Sequence, residues 1–206
     1  MASDLTKRSD KAGLEPGTLV HVGVKKAGPS RITVIDYDAV SFLEKEVATV
    51  EECFPFKDTA TVTWINVDGV QDASVVEKLG ARFDIHPLVL EDILTTSQRP
   101  KVEDLGGAVF VVLRMIECAS DGTGMTADQL SLVLGPNYVL SFQETPGDCL
   151  GPVRERIRGG KGRIRKLGPD YLAYSIVDAV VDNYFFVLER IGERIDALED
   201  GLVGGP

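Results

Sequence analysis

Apolar and polar residues alternate with a period of two in several short stretches of this chain, and that alternation predicts strands. They fall at 18–24, 32–37, 41–47 and 60–67, the last of which, ATVTWINV, is rich in β-branched and aromatic residues. Three more follow at 108–116, 129–134 and 138–142. Gly135-Pro136-Asn137 between the last two predicts a tight hairpin. Helical signals interrupt the strands. Thr49 and Glu52 form a capping-box pattern that opens a short helix. Asp72 is placed as the N-cap of a helix through Val76, Leu79 and Phe83, and Pro87 suits the first position of another that ends near Leu94.

After Gly147 the spacing becomes helical, with one candidate at 149–158 and a long one from Pro169 to about Asp200. At 1.5 Å per residue the long helix reaches about 45 Å. Its apolar line runs through Leu172, Ile176, Val180, Tyr184, Val187, Ile191, Ile195 and Leu198. That line is as long as the helix, so it calls for a long partner, either another helix or another subunit. The terminal GLVGGP predicts an abrupt helix end. The chain thus divides into a polar, disordered tail over 1–17, an α/β part over 18–147 and a helical extension over 148–206.

The composition is that of an ordinary soluble domain, 44% hydrophobic and 26% charged. The net charge of −10 argues against a nucleic-acid partner and permits cation binding. The longest uncharged stretch, 129–143, is interrupted by Gly135 and Pro136 and falls short of the ~20 residues of a membrane span, so no spanning segment is expected. No apolar run near the N-terminus suggests a signal peptide. Cys53, Cys118 and Cys149 are far apart and read as reduced thiols of a cytoplasmic protein. With His21 and His86 the only histidines, a metal here would meet oxygen ligands, which favour Mg²⁺, Ca²⁺ or Mn²⁺.

Two acidic pairs stand out. Glu91 and Asp92 are adjacent near the end of the short apolar helix. Asp178 and Asp182 lie one turn apart among Ile176, Val177, Ala179, Val180 and Val181, where like charges cost a helix about 0.2–0.5 kcal/mol. Each pair reads either as a solvated edge or as a hard-cation site, because crowded carboxylates repel unless a positive charge lies between them. The segment 154–166 holds seven basic residues and one acidic, and reads as a solvated basic surface, with an anionic lipid or nucleic acid as the alternative. GGKG within it lacks the Ser or Thr and the spacing of a phosphate-binding loop. His86 before Pro87 reads as a capping residue. Hydrolase signatures of the GxSxG and HExxH kinds are absent from the sequence, and no enzymatic activity is expected.

Taken together, TWINVDG (63–69), FDIHPLVLEDILTTSQRPKVED (83–104), VLSFQE (139–144), PVRERIR (152–158) and DYLAYSIVDAVVDNYFFVLERI (170–191) resemble the cytoplasmic domain of the CorA family of magnesium transport proteins. The stretches occur in the family's order and cover most of 60–200. The resemblance implies an α/β fold, a three-layer α/β/α sandwich with a mixed sheet, followed by long C-terminal helices that lead toward the membrane. It implies a homopentameric channel for Mg²⁺, also carrying Co²⁺ and Ni²⁺, with regulatory cation sites between cytoplasmic domains. Carried over residue by residue, the metal ligands are Glu91, Asp92 and Asp178, with Asp182 assisting electrostatically and a further carboxylate coming from the neighbour's stalk helix.

The family's stalk, membrane helices and Gly-Met-Asn signature have no counterpart in the sequence, and Gly124-Met125-Thr126 is placed in a polar loop. The expectation is therefore a soluble regulatory portion of a longer transporter, at the cytoplasmic face of the membrane, joined to the membrane only through segments outside this sequence. It is expected to be monomeric or weakly associating by itself. The alternatives are a domain of a related zinc transporter, and a non-transporting module that binds anionic ligands.

Overall fold

The computed structural model describes residues 13, 15, 18–23, 28–118 and 124–203. Seven strands, β1 (Arg31–Tyr37), β2 (Phe42–Val47), β3 (Val62–Asp68), β4 (Lys101–Asp104), β5 (Val109–Cys118), β6 (Met125–Leu134) and β7 (Tyr138–Gln143), form one sheet in the order β2-β1-β3-β7-β6-β5-β4. Only the central β3–β7 pair is parallel, and every other neighbour is antiparallel, so the sheet is mixed. β3 and β7 are buried along almost their whole length, as central strands covered on both faces are.

The two-residue period sorts their side chains. Ile65, Val67, Leu140 and Phe142 enter a core shared with α1 (Ala73–Phe83), α2 (Pro87–Leu94) and the 3-10 helix Val50–Asp58. Trp64 and Val139 point the other way, into a core shared with α3 (Gly151–Arg158) and α4 (Pro169–Val203). The result is the expected α/β/α sandwich. The caps behave as their chemistry dictates. Asp72 accepts from the Ser74 amide at 3.0 Å, Thr49 and Glu52 complete a capping box, and His86 Nδ1 accepts from the Leu88 amide at 3.2 Å ahead of Pro87.

α4 outruns the sheet. Leu172, Ile176, Val180 and Val187 are buried, Asn183 donates to the Ile116 carbonyl at 2.6 Å, and Tyr184 donates to that of Arg114. Beyond Val187 no residue of α4 through Leu202 is buried, and Ile195, Leu198 and Leu202 are exposed. By length and composition alone the helix Pro169–Leu202 matches a membrane span, since between Tyr171 and Leu188 only Asp178 and Asp182 interrupt its apolar run, but a core helix of a soluble domain has the same composition. Its N-terminal half uses that apolar character against the sheet.

Three local expectations need revision. Residues 18–23 form a single parallel bridge, Val22 to Thr95 beyond the end of α2, and no sheet strand; their alternation was strand-like but both sheet edges are supplied by other segments. β4 was missed because KVED, three of whose four residues are charged, carries no apolar alternation and pairs only as an edge. Met125 and Thr126 open β6 rather than lying in a loop. The disordered tail expected over 1–17 lies outside the described residues apart from Gly13 and Glu15, as does Val24.

Candidate functional site

α2 is short and apolar because Val89, Leu90, Ile93 and Leu94 pack into the first core. That burial turns Glu91 and Asp92, half-buried in its last turn, to the sheet's end. Both oxygens of the Asp92 carboxylate have a partner. Oδ1 accepts from Gln98 Nε2 at 2.6 Å, and Oδ2 lies 2.5 Å from Lys101 Nζ in β4. The same ammonium reaches Glu103 Oε1 at 2.7 Å and lies over the ring of the buried Phe110, 5.5 Å from its centroid. Burial works against the Lys101 charge, but the hydrogen bonds to Asp92 and Glu103 outweigh it and the pKa shifts upward. Gln129 Nε2 adds a bond to the Asp92 carbonyl at 3.2 Å, fixing the end of α2 on β6.

Asp178 and Asp182 lie on α4, whose core is on the opposite face of the sheet. Asp178 is half-buried and meets the Tyr174 hydroxyl at 3.4 Å. Asp182 is exposed and lines a cavity of about 240 Å³ with Cys149, Pro152, Arg156, Ala179 and Asn183. The sheet therefore separates the two acidic pairs within one chain. Among the described residues no three His, Cys, Asp or Glu side chains gather in metal-ligating range. The donors present are carboxylate oxygens, suited to a hard cation that keeps much of its water. Asp92 already draws a cation, the Lys101 ammonium, so its position accommodates positive charge. A divalent ion would be held by Asp92 with Glu91, or by Asp178 with Asp182 beside it, and either set stays open to a donor from outside the chain.

Three of the seven basic residues of 154–166 are engaged within the fold. Arg154 grips Asp148 with two bonds of 2.6 Å and lies over the Trp64 ring at 5.0 Å. Arg158 pairs with Glu44 and Glu155, and Arg165 donates to the Ile157 and Arg158 carbonyls. Sequence reasoning missed the polar network behind Arg154. Gln143 Nε2 bridges Asn66 Oδ1, Asp68 Oδ1 and Asp148 Oδ2 at 2.9, 3.0 and 2.9 Å, and Trp64 Nε1 donates to Ser141 at 2.8 Å. Its signal was the polar residue at every second position of β3 and β7, Asn66 and Asp68 facing Ser141 and Gln143.

A mixed sheet between helical layers, closed by a helix that runs past it and carrying carboxylates on both outer layers, defines an α/β/α sandwich domain. The sequence profile described as CorA-like Mg²⁺ transporter protein matches residues 59–205, and the chain belongs to that family. It is 48% identical over 198 residues, 96% of its length, to the cobalt/magnesium transport protein CorA of Thermotoga maritima, of which it spans 56%. The fold is shared with the soluble domain of CorA from Methanocaldococcus jannaschii (TM-score 0.63, 17% identity, covering 84% of this chain and 65% of that one). It is also shared with the ZntB cytoplasmic domain from Vibrio parahaemolyticus (TM-score 0.58, 13% identity, 81% and 64%).

Proposed function

We propose that this chain is the cytoplasmic, cation-sensing portion of a Mg²⁺ transport protein that also carries Co²⁺, working as a homopentamer at the membrane. The identity of 48% to the Thermotoga maritima cobalt/magnesium transport protein carries this reading. The packing of α2 and α4 on opposite faces of the sheet supports a site completed between subunits, in which a neighbouring chain adds donors to Asp92 and Glu91 on one layer or to Asp178 and Asp182 on the other. Bound Mg²⁺ neutralises these acidic faces and favours the closed assembly; when the ion leaves, like charges loosen it. A ligand moves such an equilibrium by its differential affinity for the two states.

A thermal-melt titration tests the reading. Millimolar Mg²⁺ or Co²⁺ is expected to raise the melting temperature by mass action, and the double substitution Asp92→Asn/Asp178→Asn to reduce that rise. A metal response unchanged in the double variant sinks the assignment.

A further inference from the structure

We propose that Lys101 is a tethered counter-ion that occupies Asp92 and competes with an entering divalent cation, setting the concentration at which this position responds. The inference rests on the reading of Asp92 as a cation ligand. Lys101 Nζ is 2.5 Å from Asp92 Oδ2 and only 2.7 Å from Glu103 Oε1, so it stands between two carboxylates. A cation arriving at Asp92 meets an ammonium already there. The ammonium has somewhere to go: it keeps the Glu103 bond and the face of the Phe110 ring, whose centroid lies 5.5 Å from Nζ. Gln98 holds the other Asp92 oxygen at 2.6 Å, so the carboxylate stays in place while its partner changes. The two occupants are mutually exclusive on electrostatic grounds, because an ammonium and a divalent ion sharing one carboxylate repel.

Removing the competitor has a definite sign. Lys101→Gln is expected to tighten Mg²⁺ or Co²⁺ binding by about two- to fivefold, the scale of a partly exposed ion pair. Lys101→Arg, which keeps the charge, is expected to stay near wild type. Glu103→Gln removes the fallback acceptor, confines the ammonium to Asp92 and weakens binding. In the Lys101→Gln background the Glu103→Gln change loses most of its effect, because Glu103 acts through Lys101. A general loss of negative charge would instead weaken both backgrounds equally.

The half-saturating concentration of MgCl₂ or CoCl₂ is read from the melting temperature of the chain at constant ionic strength. This separates affinity from the baseline stability that each variant changes. An Asp92→Asn control divides the failures. A metal response indifferent to Asp92→Asn, or absent from the wild type, overturns both the ligand reading and the competition. A response that needs Asp92 but is unmoved or weakened by Lys101→Gln overturns the competition alone.

Discussion

Asp148 and Arg154 illustrate how single residues hold this fold. The Asp148 side chain is 6% exposed and that of Arg154 18%. Burial pushes the Asp148 carboxyl up, but the two-pronged Arg154 contact, with Gln143 and the Leu150 amide, outweighs it and holds the pKa below the usual carboxylate range. A carboxyl depressed in the folded state contributes stability that is present above its unfolded value, about 3.9, and is lost as pH falls through the folded value. Asp148→Asn leaves the guanidinium without its charge partner. It is expected to lower stability by about 3 kcal/mol at neutral pH, and the gap to wild type is expected to start narrowing below about pH 4. Urea unfolding from pH 7 to pH 3 checks this, and a gap independent of pH shows that the pair does not act through its charge. The same scale explains what was legible in the site. Glu91, Asp92, Asp178 and Asp182 stood out because a carboxylate on an apolar turn is a local anomaly. Lys101 did not, because its meeting with Asp92 depends on the loop between α2 and β4, and no periodicity encodes that loop's path.

At the scale of elements, α2 depends on a single missing side chain. A Cβ placed on Gly80 of α1 would lie 2.3 and 2.7 Å from the two terminal carbons of Leu90, which is itself 4% exposed. Alanine is the better helix former by about 1 kcal/mol, yet overpacking a filled core costs about 1–3 kcal/mol. Leu90 has no solvent to retreat into, so Gly80→Ala is expected to destabilise the chain by about 1 kcal/mol net, read by chemical denaturation. A variant more stable than wild type would mean that Leu90 repacks freely. Legibility varied between elements for related reasons. β3, β5, β7, α1 and α4 announce themselves because burial on a sheet or along a helix imposes a period. β4 is an edge whose Glu103 and Asp104 face solvent, and 18–23 gain their one bridge from the Val22 amide and carbonyl against Leu94 and Thr96. β4 thus leaves no apolar period to read, while the period at 18–23 is present but belongs to a segment that bridges the end of α2 instead of joining the sheet. The hairpin at Gly135 and the caps at Asp72 and His86 were readable because turn and cap chemistry is local.

For the whole molecule, the deciding quantities are a net charge of −10 and the apolar residues of α4 that the sheet leaves uncovered. The charge opposes bringing copies together, and that repulsion weakens with salt. The uncovered residues, among them Phe185, Leu188, Ile195 and Leu198, favour association, but past Val187 they sit on one helix with no sheet behind it. Amide exchange is therefore expected to be faster in α4 after Val187 than in its sheet-packed half. With the acidic pairs on opposite layers, a divalent ion can relieve repulsion at two separate surfaces of each copy. Mg²⁺ keeps several waters and binds such open carboxylates weakly, so the gain per contact is small. The chain is expected to be mainly monomeric without divalent ions and to shift modestly toward oligomers in millimolar Mg²⁺, beyond the shift produced by NaCl of equal ionic strength. Light scattering across matched MgCl₂ and NaCl titrations makes the comparison. Equal shifts in the two salts would reduce the metal's part to screening, and a stable oligomer in metal-free buffer would mean that the apolar line of α4 and the sandwich suffice for assembly without any cation.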